Sequence, residues 1–600
     1  MSLEDPSLYA SRLAALRHAM HHAGVDAYYI PSADPHLSEY LPEHWQGRQW
    51  LTGFEGSAGN VLVTQEFAGL WTDSRYWVQA EQQFRASPFT LMRQGEADVP
   101  SITDWVRQHM PANAVLAFDG KVMSVTAYEA WESLSQEGWT INAELDLLEA
   151  IWQERPPLPL APIFEHESEY VAQTRAQKIA GLRQQLIEHQ ADWWLLSSLD
   201  DIAWLLNLRG NDVPYNPVFL AHALVSAHTF RLYLEESKVS TELMLRLAED
   251  GISLRPYDML SMDLLELPIQ QYLGLDPQRV TVGTLQNAQH LHWLPLPNPT
   301  QTTKAIKADS ELAHIRRAME KDGAALCVFF AQFEQQLAQG QSLTELDVDQ
   351  RLTAARAQQP DFISPSFGTI AAFGANGAMP HYQATPQAFS VIEGDGLLLI
   401  DSGGQYLDGT TDITRVVPIG QITDAQKTDY TRVLKGMIAL SRAVFPRGVT
   451  GQQLDVLARA PLWEVGLEFG HGTGHGVGYF LNVHEGPQSI SWRGRNPAVP
   501  LEVGMITSNE PGLYRAGEWG IRIENLVVVQ PALSTEFGDF LSFETLTLCP
   551  IDTRCLNLSL LNAAEVEWLN GYHQEVRERL SPYLHDEALA WLIERTEPIL

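Results

Sequence analysis

Residues 154–164 read ERPPLPLAPIF, four prolines in eleven positions, and no other run restricts the fold as much. Proline locks φ and removes a backbone donor, so this stretch continues neither a helix nor a central strand. The chain therefore divides here. Upstream, helical patterns alternate with short β-rich runs, DAYYI (26–30), NVLVT (60–64) and AVLAF (114–118), which predicts an α/β layer domain. Downstream the alternation restarts with a helical pattern near 170–189, then WWLLSS, HALVSA and FRLYL. The second part repeats the order of the first and suggests a duplicated fold, although no residue-level repeat is visible. A second boundary falls within NPTQTTKAIKADSEL (298–312), where Asp309 is a candidate N-cap and Leu312, Ile315, Met319 and Leu326 form one apolar helical face. The expected domains are 1–158, 159–305 and 306–600, α/β (α+β) throughout. In the helical tail, Asn562 and Glu565 fit a capping box, and Val566, Leu569 and Val576 make a stripe.

Charge and cysteine narrow the partners. Among 600 residues, 40 Lys and Arg face 74 Asp and Glu, a net charge of −34. Neutralising a phosphate backbone needs clustered cations, so no nucleic-acid partner is expected. Cys327, Cys549 and Cys555 supply neither a disulfide framework nor a CxxC metal pair. The first twenty residues are an amphipathic helical pattern carrying Arg12 and Arg17, not a targeting segment. The uncharged run from Val213 to Phe230 contains Pro214, Asn216, Pro217, His222 and His228, which reads as a turn and a buried strand rather than a membrane span. A soluble, cytoplasmic protein without a membrane partner is expected.

Five stretches of the last 300 residues set acidic and imidazole groups beside glycine: LLLIDSGGQY (397–406), GTTDITR (409–415), GHGTGHGVG (470–478), SNEPG (508–512) and IRIEN (521–525). Asp401 closes an apolar run that reads as a buried strand, where a carboxylate is costly unless paired or bound to a metal. Taken alone it reads more readily as a turn aspartate before Gly403-Gly404. The histidine segment adds weight. Two histidines four apart, each between glycines, do not make a helix, and glycine at that density marks close backbone approach. GxGxxG, GxxxxGK[ST], HExxH and GxSxG are all absent, which removes dinucleotide and P-loop folds, helical zinc proteases and nucleophile-elbow hydrolases. Four carboxylates and one imidazole suit manganese, cobalt, iron or zinc, and can bridge two ions. A paired-cation site hydrolyses amides or phosphoesters. The acidic chain, lacking phosphate-gripping Arg clusters, favours the amide.

The order Asp401, Asp412, His475, Glu510, Glu524 resembles the five metal ligands of the pita-bread metallopeptidases. His381 in MPHY, His471 in GHGTGHG and His484 in NVHEGP are similar to histidines of the proline-specific branch. GFEGSAGN (53–60), WTDSRYWVQAEQQ (71–83) and LDDIAWLLNLRGNDVPYNPVF (199–219) look like the two N-terminal creatinase-like domains of the long, three-domain aminopeptidase P form. The resemblance implies two creatinase-like domains, a pita-bread catalytic domain and release of the first residue from Xaa-Pro peptides. It implies two divalent ions, with manganese favoured by carboxylate-rich ligation and zinc or cobalt as alternatives. Asp401 would chelate one ion, His475 and Glu510 the other, and Asp412 and Glu524 would bridge. Glu510 would also take the proton of the attacking water. His484 would stabilise the oxyanion or protonate the leaving nitrogen, and His381 and His471 would shape the substrate site. Arg522, two residues from Glu524, is expected on the same strand face behind a ligand carboxylate. Arg493 and Arg495 could reach a peptide carbonyl, but are expected to be solvated loop charges.

Other readings follow the same motifs. A prolidase-type dipeptidase shares the catalytic half. Non-catalytic pita-bread binding modules lose the ligands that are all present here. Methionine aminopeptidase is a single domain and leaves the upstream half unexplained. In the tail, Trp568, Leu569, Tyr572 and Val576 form one apolar stripe, and Trp591, Leu592 and Ile593 another. Either these finish the core of their own subunit or they meet a partner. The resemblance implies a homodimer.

Overall fold

The β-branched and aromatic runs become strands because their side chains fit a pleated, buried surface. In a computed structural model, which describes residues 6–494 and 498–600, the described residues fall into two compact units divided between Gln301 and Thr302. In the first unit, β1 (Ala27–Ile30), β2 (Asn60–Thr64), β3 (Ala68–Thr72), β4 (Thr90–Arg93), β5 (Val115–Ala117) and β6 (Thr140–Asn142) form a sheet ordered β4-β3-β2-β1-β5-β6. A second sheet contains β7 (Trp193–Leu196), β8 (His222–Ser226), β9 (Phe230–Leu234), β10 (Ile252–Pro256), β11 (Tyr272–Leu275) and β12 (His292–Pro295), ordered β10-β9-β8-β7-β11-β12. The pairings also match: β1–β2 and β2–β3 are antiparallel, while β3–β4, β1–β5 and β5–β6 are parallel, and the second sheet repeats this set strand for strand. The duplicated order seen in the sequence is thus a duplicated topology.

Helix α1 (Pro6–Ala23) buries Leu13, Leu16 and Met20 against the first sheet's core. Helix α2 (Arg175–Glu188) opens on a Thr174–Gln177 capping box. The proline segment runs as turn and irregular chain from 154 to 163. Backbone bonds join the two sheet domains within this unit, from Val125 N to Val280 O (3.0 Å) and Val282 N to Met123 O (2.9 Å). Among the described residues no helix is long and apolar enough to cross a membrane.

A short helix, α3 (Pro299–Ala305), spans the division and leads into α4 (Asp309–Ala338). The cap of α4 lies one residue earlier than the sequence suggests. Ala308 is extended (φ −70°, ψ 159°) and gives its N–H to Glu311 Oε2 at 2.9 Å, so Asp309 sits inside the first turn, where its charge suits the helix dipole. The second unit stacks α4, α5 (Asp424–Ser441) and α6 (Gly451–Trp463) around strands β13 (Ile370–Phe373), β14 (Gly396–Ser402) and β15 (Ile413–Ile419). A larger sheet combines β16 (Val444–Pro446), β17 (Gly474–Gly476), β18 (Glu485–Ile490), β19 (Ile506–Asn509), β22 (Asn525–Thr535) and β23 (Gly538–Thr545) in the order β16-β23-β22-β19-β17-β18, and β20 (Gly512–Arg515) pairs with β21 (Trp519–Arg522).

Helix α7 (Ala563–Leu580) carries the expected Asn562–Glu565 box, and α8 (Asp586–Arg595) follows it. Leu569, Tyr572, Val576, Trp591 and Leu592 all enter the core of this unit, where Trp591 stacks on Phe330 with ring centroids 5.5 Å apart. The tail stripes therefore finish the core of their own subunit, and only Ile593 remains exposed.

Candidate metal centre

Strand β14 is buried along its whole length. It lies antiparallel between β13 and β15, and Asp401 stands in register with Ile370 and Thr414. Asp412 immediately precedes β15. His475 is the middle residue of β17, and its glycine neighbours are explained by space. A Cβ on Gly474 would come within 2.0 Å of Ser508 O, and one on Gly476 within 2.1 Å of Glu485 O. Only glycine lets the strands on both sides close on His475. Glu510 follows β19 and donates its N–H to Thr473 O at 2.8 Å. Glu524 lies between β21 and β22, where its Oε2 accepts from Thr414 Oγ1 at 2.7 Å.

These residues interlock as three groups, each with ligand atoms within 4.8 Å of one another: Asp401, Asp412 and Glu524; His475, Glu510 and Glu524; Asp412, His475 and His484. His475 Nε2 is 3.4 Å from both Asp412 Oδ2 and Glu510 Oε1. Its Nδ1 donates to Gly476 O at 3.0 Å, which turns the Nε2 lone pair of the neutral ring into the carboxylate cluster. The His484 ring lies 4.2 Å from that of His475, edge to face.

The cluster calls for positive charge. Burial, then repulsion from Asp412, Glu510 and Asp401, holds Glu524 well above its ordinary pKa. Burial likewise pushes Asp401 up to about 7, against the pull of Arg522, and raises Glu510. For His475, burial favours the neutral ring but is outweighed by Asp412 and Glu510, which lift it to about 9. Asp401 Oδ1 and Glu524 Oε1 are buried without a hydrogen-bond donor. Hard oxygen donors with one imidazole, two orphaned oxygens and mutual repulsion are what a pair of divalent cations would relieve. The donor set fits such a pair.

Arg522 is 2% exposed. It reaches Asp401 rather than Glu524, with Nη2 2.6 Å from Asp401 Oδ2, while Nη1 donates to Tyr514 OH (2.7 Å) and Nε to Thr414 Oγ1 (3.2 Å). Tyr514 OH in turn meets His471 Nε2 at 2.8 Å, and His471 Nδ1 donates to Gly472 O. His471 thus joins the centre through Tyr514 and Arg522. His381 belongs to none of the three ligand groups. It stands, half-buried, on the segment after the helical turn Gly374–Ala378, which buried Glu345 pins by accepting from Phe373 N (2.7 Å), Tyr382 OH (2.8 Å) and Ser390 N (2.6 Å). Arg493 is exposed, with its guanidinium 4.4 Å from the centre of the Trp492 ring; Arg495 lies outside the described residues. Sequence reasoning missed Thr414, Tyr514 and Glu345. Hydroxyls beside charged motifs carry no pattern of their own, and Glu345 is far from the site in sequence.

Residues 313–531 match metallopeptidase family M24 and 539–599 match the C-terminal region of that family, while 12–145 and 154–311 each match the creatinase/prolidase N-terminal domain. Aminopeptidase P2 of Arabidopsis thaliana is 40% identical, with 96% of this chain and 86% of the relative covered. A crystal structure of X-prolyl aminopeptidase from Caenorhabditis elegans, described as a cytosolic enzyme with a di-nuclear active site, superposes with a TM-score of 0.94 at 32% identity, covering 98% of this chain and 100% of that one. An Xaa-Pro dipeptidase from Bacillus anthracis, 26% identical with a TM-score of 0.50, covers 63% of this chain and 99% of its own.

The chain belongs to metallopeptidase family M24. Within it, two creatinase-type α/β domains precede a catalytic half, and the protein is a peptide-bond hydrolase.

Proposed function

We propose that this protein is an Xaa-Pro aminopeptidase, releasing the first residue of peptides with proline second. The interlocked carboxylate–imidazole cluster carries this reading, and likeness over the full length to aminopeptidases P supports it. The prolidase reading is weaker because the dipeptidase likeness covers only 63% of the chain. Asp401, Asp412, His475, Glu510 and Glu524 would hold two divalent ions, manganese favoured by the oxygen-rich set and zinc or cobalt the alternatives. When bound, such a pair supplies Lewis acidity at the scissile carbonyl and acidifies water.

The chain's own groups do the rest. Glu510 accepts the proton of the attacking water. His484, beside Asp412 and His475, donates to the developing oxyanion or returns a proton to the leaving proline nitrogen. Arg522 fixes the Asp401 carboxylate, and Tyr514 ties that pair to His471. An Xaa-Pro bond is a tertiary amide with no N–H, and its ring fixes φ. A selective site therefore needs an apolar slot for the ring and donors for the flanking carbonyls, the second role being assigned to His381, His471 and His484. The cluster also receives the free amino terminus.

The relative from Caenorhabditis elegans is described as cytosolic, which together with the low cysteine content supports a cytoplasmic location. A homodimer is proposed on the family likeness alone. The test is hydrolysis of Arg-Pro-Pro, Arg-Ala-Ala and N-acetylated Arg-Pro-Pro by metal-stripped protein refilled with single metals. Cleavage of the first alone fits; equal kcat/KM on the first two overturns the proline-specific reading.

A further inference from the structure

Glu485 directly follows His484 and opens β18, and its side chain is completely shielded from solvent. Each of its oxygens faces a lysine. Lys307 Nζ lies 3.1 Å from Oε1 and Lys304 Nζ 3.2 Å from Oε2, and both lysine side chains are only 1% exposed. Lys307 Nζ also donates to Lys304 O at 3.0 Å. Lys304 belongs to α3 and Lys307 to the short link before α4, so both grips come from the connector that opens the catalytic unit. Removing three charges from water is costly unless they pair, and an apolar trio of the same volume would fill the space as well. The ion triad is therefore unexplained by packing alone.

The turn leading to it is held just as firmly. Gln405 Nε2 donates to Leu481 O at 2.7 Å, and Gly478 N to Asn482 O at 2.9 Å. Phe480 sits at φ +47°, a left-handed conformation that an aromatic residue adopts only when its surroundings impose it. Residues 478–485 are thus tied at Leu481 to the 404–410 hairpin and at Glu485 to the connector, and His484 is the residue presented between these ties.

We propose that Glu485 is a positioning residue for His484: the clamp of Lys304 and Lys307 on its carboxylate fixes the backbone from which the His484 ring meets Asp412 and His475. The inference rests on the reading of His484 as a group that serves the hydrolysis. It is tested in the zinc-loaded protein with Lys304→Met, which keeps the stem and leaves a one-to-one Lys307–Glu485 pair. Expected is a fall in kcat on Arg-Pro-Pro of about ten- to a hundredfold, the scale set by a small misplacement of a reacting group, with KM and zinc content unchanged. In a His484→Ala background the same substitution should cost nothing further. The ¹³C ring resonance of His484, assigned by its loss in His484→Ala, should move while that of His471 stays. Full kcat with an unmoved His484 resonance overturns the clamp, as does a loss that multiplies undiminished in the His484→Ala background. If His484→Ala itself is fully active, the assignment of His484 fails instead, and the resonance alone decides the clamp. If Lys304→Met does not fold, Glu485→Gln, which keeps the side chain's volume, carries the same measurements.

Discussion

Glu524 is 1% exposed and shares its surroundings with Asp401, Asp412 and Glu510. In the metal-free protein its raised pKa lets the folded chain keep a proton at a pH where the unfolded chain, with the ordinary glutamate value of 4.5, has released it. The folded state then binds more protons, so stability falls as pH rises from the unfolded value toward the raised folded one, by about 1.4 kcal/mol per pH unit for one such group. Glutamine has the shape of the protonated acid and keeps an acceptor for Thr414 Oγ1. Metal-free Glu524→Gln should therefore match wild type near pH 5 and become the more stable of the two as pH rises above it. Metal works against that difference. Ions at about a hundred times their Kd add about 2.7 kcal/mol to the wild type, and a neutral amide shared between two cations forfeits most of that gain. Thermal unfolding of chelated and refilled protein from about pH 5 to about pH 8, with elemental analysis, measures both effects. Parallel pH slopes in the chelated proteins, or two ions per chain retained by the variant with full turnover, would refute the reasoning.

Arg522→Met leaves buried Asp401 without its cation and should destabilise the metal-free protein by about 3 kcal/mol or more at alkaline pH, and less below about pH 7, where Asp401 takes up a proton; denaturant midpoints at the two pH values report it. His484→Ala should lower kcat and kcat/KM together by about 10²–10³ with metal content intact, the usual cost of one oxyanion donor, and a pure KM effect would mean that it only positions substrate. Because Asp412 and Glu510 hold a proton on His475 up to about pH 9, metal uptake must displace it, so apparent metal affinity rises with pH across that range and proton release is visible by calorimetry in buffers of different ionisation enthalpy. Replacing proline by alanine in the substrate removes two methylenes, about 0.8 kcal/mol each, so selectivity well beyond about tenfold in a kcat/KM comparison marks geometry rather than ring burial.

The strands were legible wherever β-branched and aromatic residues clustered, as in DAYYI, NVLVT and HALVSA, because local preference and burial agree there. The duplication was legible only as an order of elements, since topology depends on pairings far apart in sequence. At the centre, glycine around His475 announced close backbone approach, and the contacts with Ser508 O and Glu485 O are that approach. That Arg522 meets Asp401 in particular was not legible, because Asp401 comes from another sheet 121 residues away and no spacing joins the two. Tyr514 and Thr414 act through hydroxyls that no spacing marks. The tail stripes were ambiguous because burial in a subunit and burial between subunits leave the same apolar periodicity.

The stacking of Trp591 on Phe330 also sets a timetable. Helix α4 is among the first parts of the catalytic unit to be synthesised, yet the face of Phe330 on which Trp591 stacks lacks that ring until translation has passed Trp591. The creatinase-type half has its full set of strands long before then and is free to fold on the ribosome, as domains do during synthesis. The catalytic half must wait with its core open, so a nascent chain stalled between α4 and α8 exposes Phe330 to chaperones and proteases while the half before it is already folded.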